Sequence, residues 1–204
     1  MSAPPPWQAW TPDEAACRLA DVDVHWAVAG GWAIDLHLGR TTRDHHDLEI
    51  CVPAGRADMV LAAFPAPRWS WHVPESGVLH PLDGPDGAGL LAREHQTWLW
   101  SVDDGAYVLD VFREPHDGDT WICRREETLR RPLAEVISTS TAGIPYVRPE
   151  IVLLFKAKYC RPQDEADLAV CLPALDEPAR AWLRSALQLV HPGHRWLDAL
   201  DEAS

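Results

Sequence analysis

The sequence has no apolar run of membrane-spanning length, no C-x-x-C pair, no internal repeat, and many fewer basic residues (18) than acidic ones (31). The first absence excludes a transmembrane helix, which needs about 20 consecutive apolar residues. The second, with an odd number of cysteines (Cys17, Cys51, Cys123, Cys160, Cys171), argues against a disulfide framework or a zinc ribbon and fits a reducing compartment. The first ten residues, MSAPPPWQAW, lack the basic stretch and apolar core of a secretion signal. Together these features predict a soluble cytoplasmic protein with no membrane partner. The formal charge of −13 opposes general affinity for nucleic acid, itself a polyanion, and suits a small cationic partner.

What is present is an ordinary globular composition, 47% hydrophobic and 24% charged over 204 residues, enough for one domain or for one domain with a small appended bundle. The most informative stretch is WAVAGGWAIDLHLGRTTRDHHDLEICV, residues 26–52. An apolar strand pattern over 24–29 runs into Gly30-Gly31, a short helix is predicted over 32–38, and Gly39 closes it. Asp47-Leu48-Glu49-Ile50 then alternates acid and apolar residues, which predicts a strand over 47–52. Residues two apart on a strand share a face, roughly 6.5–7 Å apart, so Asp47 and Glu49 are expected side by side. Adjacent carboxylates repel unless a cation lies between them, and hard oxygen ligands suit Mg²⁺. The backbone N–H groups at a glycine turn opening a helix are suited to phosphate.

Elsewhere the Pro-rich residues 1–10 read as a loose arm, followed by a helix capped by Thr11 and running to about Ala20. A crossover helix is predicted over 56–64, a strand at 69–73 and a loop at 82–89. Strands at 98–102 and 107–112 form a hairpin around Asp103-Asp104-Gly105. Its second strand carries a lone acid, Asp110, between Leu109 and Val111, costly to bury without a partner. Short strands at 121–123 and 136–140 precede helices predicted at 149–159, 162–172, 178–190 and 196–200. The expected organisation is a sheet domain over 1–145 and a small helical domain over 146–204.

The segment GGWAIDLHLGRTTRDHHDLEI resembles the aminoglycoside 2″-adenylyltransferase group and the related lincosamide nucleotidyltransferases, members of the superfamily with a polymerase-β-like palm. The matching positions are Gly30, Gly31, Trp32, Ala33, Asp35, Gly39, Arg40, Thr42, Arg43, His45, Asp47 and Glu49, and residues 143–168 are similar to a second shared block. The resemblance implies an α/β (α+β) fold with a mixed-sheet nucleotidyltransferase palm and a C-terminal helical domain. It implies Asp47, Glu49 and Asp110 as catalytic metal ligands, two Mg²⁺ ions as cofactors, and ATP or another nucleoside triphosphate as co-substrate. Nucleotide binding falls to Gly30, Gly31, Arg43, His45 and Lys156, and an aminoglycoside-type antibiotic is the implied acceptor.

Plainer accounts stand beside these. The acid pair fits the solvent face of a strand, Arg43 and His45 fit partners of nearby carboxylates, and Asp110 fits a structural acid paired with Arg113. Lys156 fits a snorkelling lysine, and Trp69, Trp71, Trp98 and Trp100 fit ordinary packing. Two competing functions remain open. A toxin-type nucleotidyltransferase acting on tRNA or protein requires a basic face, for which Arg124, Arg125, Arg130 and Arg131 are available. A non-catalytic nucleotide-binding or antitoxin-like partner is the other, and it is expected to have lost one of the three acids.

Overall fold

The computed structural model describes residues 5–202. In chain order the elements are α1 (Pro12–Leu19), β1 (Ala27–Val28), α2 (Gly30–Leu38), β2 (Glu49–Pro53), α3 (Ala57–Ala63), β3 (Trp69–Glu75), β4 (Val78–Pro81), α4 (Gly87–Arg93), β5 (Gln96–Ser101) and β6 (Ala106–Glu114). They continue with β7 (His116–Asp117), β8 (Thr120–Ile122), β9 (Arg130–Pro132), β10 (Ile137–Thr139), β11 (Pro145–Val147), α5 (Pro149–Lys156), α6 (Pro162–Cys171), α7 (Glu177–Val190) and α8 (Trp196–Glu202). The architecture is mixed α/β, as read from the sequence. Among the described residues no helix is long and apolar enough to cross a membrane.

Two compact units emerge, Met1–Val28 with His45–His116, and Ala29–Asp44 with Asp117–Ser204. Residues 29–44 and 117–145, read from the sequence with the palm, are thus grouped with the helical tail. In the first unit the strands run in the order β1-β2-β6-β5-β3-β4. The β2–β6 pair is parallel and the other printed pairs in this set are antiparallel. Leu48, Ile50, Val52, Leu99, Leu109 and Val111 are fully or almost fully buried and form the centre of this sheet's core.

Local chemistry explains the ends of α1. Thr11 Oγ1 accepts from Glu14 N at 3.2 Å while Glu14 Oε2 accepts from Thr11 N at 2.8 Å, a reciprocal cap that satisfies two orphan donors. The arm before it is not loose. Tyr107 N donates to the Pro6 carbonyl, Gln8 N to the Tyr107 carbonyl and Trp10 N to the Val108 carbonyl, at 2.9, 2.9 and 3.0 Å. The segment lies along β6 before that strand's register with β2 begins at Asp110. Trp10 is buried against Phe64 and Trp69, whereas Trp7 packs on Trp98 and Tyr107. Residues 1–4 of the predicted arm lie outside the described residues.

The second unit holds α2, the antiparallel pairs β8–β9 and β10–β11, and the four last helices. Helix α5 is buried almost all round, with Ile151, Val152, Leu153 and Leu154 inside, which is why its sequence is a continuous apolar run. By contrast α7 buries Ala179, Leu183, Ala186 and Leu187, one stripe at helical spacing.

Several expected boundaries shift. The strand expected over 24–29 is reduced to Ala27–Val28, because Val24 N bonds the Val22 carbonyl in a tight turn. The expected 56–64 helix begins as a 3₁₀ turn at Ala54–Arg56 and becomes α-helical at Ala57. Part of the 82–89 loop is the start of α4, and β4, β7, β9 and β11 were not anticipated. Deleting residues 1–10 is expected to lower the melting temperature by about 5–10 °C, since loss of a buried Trp alone costs about 3–5 kcal/mol. An unchanged thermal melt would mean that the arm is loose after all.

Candidate active site

The site is assembled on β2 and β6. Their parallel register places Glu49 opposite Asp110. Asp110 N donates to the Leu48 carbonyl at 2.9 Å, so the ladder begins at Leu48 and Asp47 stands just ahead of it. This corrects the strand expected over 47–52, which begins at Glu49. Asp47 and Glu49 are half-buried, while Asp110 is 2% exposed.

Asp110 is the electrostatic centre of the unit. Burial pushes its carboxyl well above the usual carboxylate range, and the charges of Glu49 and then Asp47 push it further, against the opposing pull of its Gln96 hydrogen bond. Gln96 Nε2 donates to Asp110 Oδ2 at 2.5 Å and the Trp98 side chain draws on the same carboxyl, whose buried Oδ1 has no closer hydrogen-bond partner. Arg113, the alternative partner weighed from the sequence, instead donates to Thr97 Oγ1 and to the Glu94 carbonyl.

Three acidic side chains, two of them pressing on the buried third, fit a divalent cation. The donor set is all carboxylate, which suits Mg²⁺ over softer metals. Among the described residues no group of three or more His, Cys, Asp or Glu is already drawn into ligand geometry. His45 is half-buried two residues before Asp47, and His46 packs against Trp7.

The remaining predicted residues lie in the second unit. Gly30 takes φ +60°, which favours glycine, and opens α2 directly after Ala29, with Gly31 in its first turn. Gly39 ends the helix in the left-handed conformation at φ +66°, its N–H donating to the Asp35 carbonyl. Asp35, buried, accepts from Thr42 Oγ1 at 2.5 Å and Thr42 N at 3.1 Å and so pins the Gly-Arg-Thr-Thr turn. Arg43 forks onto Asp167 at 2.9 and 3.1 Å, and Lys156 lies 2.8 Å from Asp167 and 3.3 Å from Asp164. Arg161 holds Asp164 as well. The acids of α6 therefore position Lys156 and Arg43, a partnership that required knowing that 164 and 167 face inward. Burial drives Asp167 upward, but the Arg43 hydrogen bond and the Lys156 charge outweigh it and hold it below 3.8.

Several acids of the middle segment are held in ion pairs. Asp86 and Glu75 pair with Arg93, and Asp103 pairs with Arg68. The four tryptophans divide by strand. Trp69 and Trp71 pack with Phe64, whereas Trp98 and Trp100 gather around Tyr107. Sequence reasoning passed over Gln96 and Trp7; only the strand parity that pairs Gln96 with Phe112, beside Asp110, could have pointed to the first.

Comparisons with known proteins show that the fold is shared with nucleotidyltransferase structures. Residues 14–70 match the family model of aminoglycoside-2″-adenylyltransferase. The solution structure of the antibiotic-resistance factor ANT(2″)-Ia superposes with a TM-score of 0.55 at 15% identity, covering 93% of this chain and 92% of its own. The lincosamide antibiotic adenylyltransferase LnuA, crystallised with lincomycin bound, gives 0.54 at 18% identity over 77% of this chain and 91% of its own. No curated protein matches the sequence. The resemblance read from the sequence is borne out for the fold and for the segment that carries the signature.

Two measurements test the site. Asp110→Asn keeps the shape and the Gln96 contact while removing a buried charge, so it is expected to raise the melting temperature in chelator and to abolish stabilisation by added Mg²⁺; a fall in chelator would contradict the electrostatic account. For Asp167 the sign is the opposite. Its depressed carboxyl contributes stability above its unfolded value of 3.8, lost as pH falls through the folded one. Thermal melts from pH 6 downward should fall steeply below about pH 4 in the wild type and less steeply in Asp167→Asn.

Proposed function

We propose that the protein is a Mg²⁺-dependent nucleotidyltransferase that moves a nucleoside monophosphate, AMP from ATP on the simplest reading, to a hydroxyl of a small antibiotic of the aminoglycoside or lincosamide kind, releasing pyrophosphate. The observation that carries this is the in-register pairing of Glu49 with a buried Asp110 whose carboxyl is pushed well above its usual range by burial and by the charges of Glu49 and Asp47. Asp47, Glu49 and Asp110 would hold two divalent cations, which when bound neutralise the triphosphate and lower the pKa of the attacking hydroxyl. The acceptor oxygen bonds to the α-phosphorus, the α–β bridging bond breaks, and the electron pair leaves with pyrophosphate. Asp110, ionised in the presence of the cations it would hold, is the proposed recipient of the hydroxyl proton. Gly30 and Gly31 are assigned to nucleotide phosphate through backbone N–H groups, and Arg43, His45 and Lys156 to nucleotide binding. For Lys156 and Arg43 that role is compatible with their present carboxylate partners only if it is electrostatic.

The toxin-type reading finds little support. Arg131 is taken up by Glu150 and Glu135, Arg125 by the carbonyls at the end of α5, and Arg130 by the Glu127 carbonyl. A non-catalytic partner is disfavoured by the presence of all three acids. Pyrophosphate release should be measured with each nucleoside triphosphate across aminoglycosides, lincosamides and tRNA. Release with a small antibiotic is expected, and Asp47→Ala, Glu49→Ala or Asp110→Ala should each reduce it by at least about a thousandfold while leaving the protein folded. Near-normal activity of Asp110→Ala would remove it from the mechanism.

A further inference from the structure

Positive charge in this acidic chain gathers where helices α5 and α7 of the second unit end. Helix α5 is buried, but it leaves through a turn over residues 157–159 that carries Lys158 and Tyr159 into solvent, and Cys160 at φ +46° then redirects the chain toward α6. From the β8–β9 connection, Arg124 and Arg125 lie over the Phe155 ring, 4.1 and 4.7 Å from its centroid. Lys158 lies 5.0 Å from the centroid of Tyr159, which is 63% exposed. His191 follows the last turn of α7, its ring 5.9 Å from that of His194. Nearby acids are engaged: Asp164 holds Arg161, Glu165 holds Arg195, and Glu126 accepts from Thr128. Among the described residues Lys158 has no carboxylate partner, only the Tyr159 ring and hydroxyl.

Cations at a helix C-terminus are ordinary, because the last carbonyls carry partial negative charge. Arg125 meets that need at α5, its Nη1 donating to the Phe155 carbonyl at 2.9 Å. Helix ends do not account for His191, whose Nε2 is buried with no hydrogen-bond partner. Nor do they account for what surrounds its ring. Burial lowers the His191 pKa, and Arg125, His194 and Lys158 lower it further, with no carboxylate raising it. The Lys158 hydrogen bond and charge, helped by Arg125 and Arg161 against burial, likewise hold the Tyr159 hydroxyl below its ordinary value. Arg125 and Lys158 act on both rings, so the four groups converge on one place. A buried polar atom left unmatched among cations calls for an anion. We propose that Lys158, Tyr159 and His191, with Arg125 at their edge, form a binding site for a phosphate dianion, either the free ion or the monoester end of a small molecule. Lys158 supplies the charge, Tyr159 Oη–H and His191 Nε2–H donate, and Arg125 stays on the α5 carbonyls and acts at longer range. A phosphate monoester carries nearly two charges at neutral pH, whereas each link of a nucleic-acid backbone carries one, so the site favours the former. It lies wholly within the second unit and does not depend on the nucleotidyltransferase reading.

The test follows the imidazole C2 proton resonance of His191 in the full chain, with His191→Gln identifying the signal. Inorganic phosphate and glycerol phosphate are the probes, each against sodium chloride at matched ionic strength, because salt alone screens the neighbouring cations. Phosphate is expected to raise the His191 pKa by about half a pH unit or more beyond the chloride control, since an anion beside the ring stabilises the imidazolium. In Lys158→Gln, a change at an exposed position, the phosphate concentration giving half the effect should rise about tenfold. A response to both probes assigns the site to monoesters, and a response to inorganic phosphate alone assigns it to the free ion. A chloride effect equal to that of phosphate, an unchanged midpoint in Lys158→Gln, or a stronger response to a short oligothymidylate without a terminal phosphate would overturn the proposal.

Discussion

The structure of the first unit turns on a single costly placement, the Asp110 carboxylate buried between two strands with Glu49 opposite and Asp47 near. Nothing in folding alone favours that position. A carboxylate 2% exposed and pressed by two others weakens the sheet, and an apolar residue there would pack without penalty. Such a cost is tolerated where a ligand relieves it, and a divalent cation bound there would relieve both repulsions acting on Asp110. The parallel β2–β6 pair exists in the middle of an otherwise antiparallel set, and it is this pair that brings acids separated by sixty residues of sequence to one level.

The second unit shows the opposite use of charge. Asp164 and Asp167 are as buried as Asp110, yet each is matched by Lys156, Arg43 or Arg161, and Asp167 stays ionised as a result. Removing one member of such a network strands the others without water, at about 3–5 kcal/mol. The net charge of −13 therefore overstates how much negative surface is available to a cationic ligand. Asp86, Asp103, Asp164, Glu165 and Asp167 are all tied up in pairs that the sequence could not reveal.

What was legible in the sequence was what local chemistry encodes. The Thr11 cap, the Gly30 and Gly39 conformations, the Gly105 hairpin and the helix starts at Pro149 and Pro162 all follow from short-range rules. Asp47 slipped off its strand because alternation cannot say where the neighbouring ladder begins. The Pro-rich arm read as loose because backbone bonds to Tyr107 and Val108, about a hundred residues away, leave no local trace. Likewise the parity that sends Trp71 into the core and Trp98 toward Tyr107 depends on which sheet face each strand offers.

Counting bound Mn²⁺, a spectroscopic substitute for Mg²⁺, tests the central claim most directly. Paramagnetic resonance of the protein with a non-hydrolysable ATP analogue would compare the wild type with Asp110→Asn. The account predicts protein-dependent Mn²⁺ binding in the wild type that is lost in the variant, while the analogue itself still binds. Equal Mn²⁺ binding by both proteins would contradict it, and the buried carboxylate would then need another explanation.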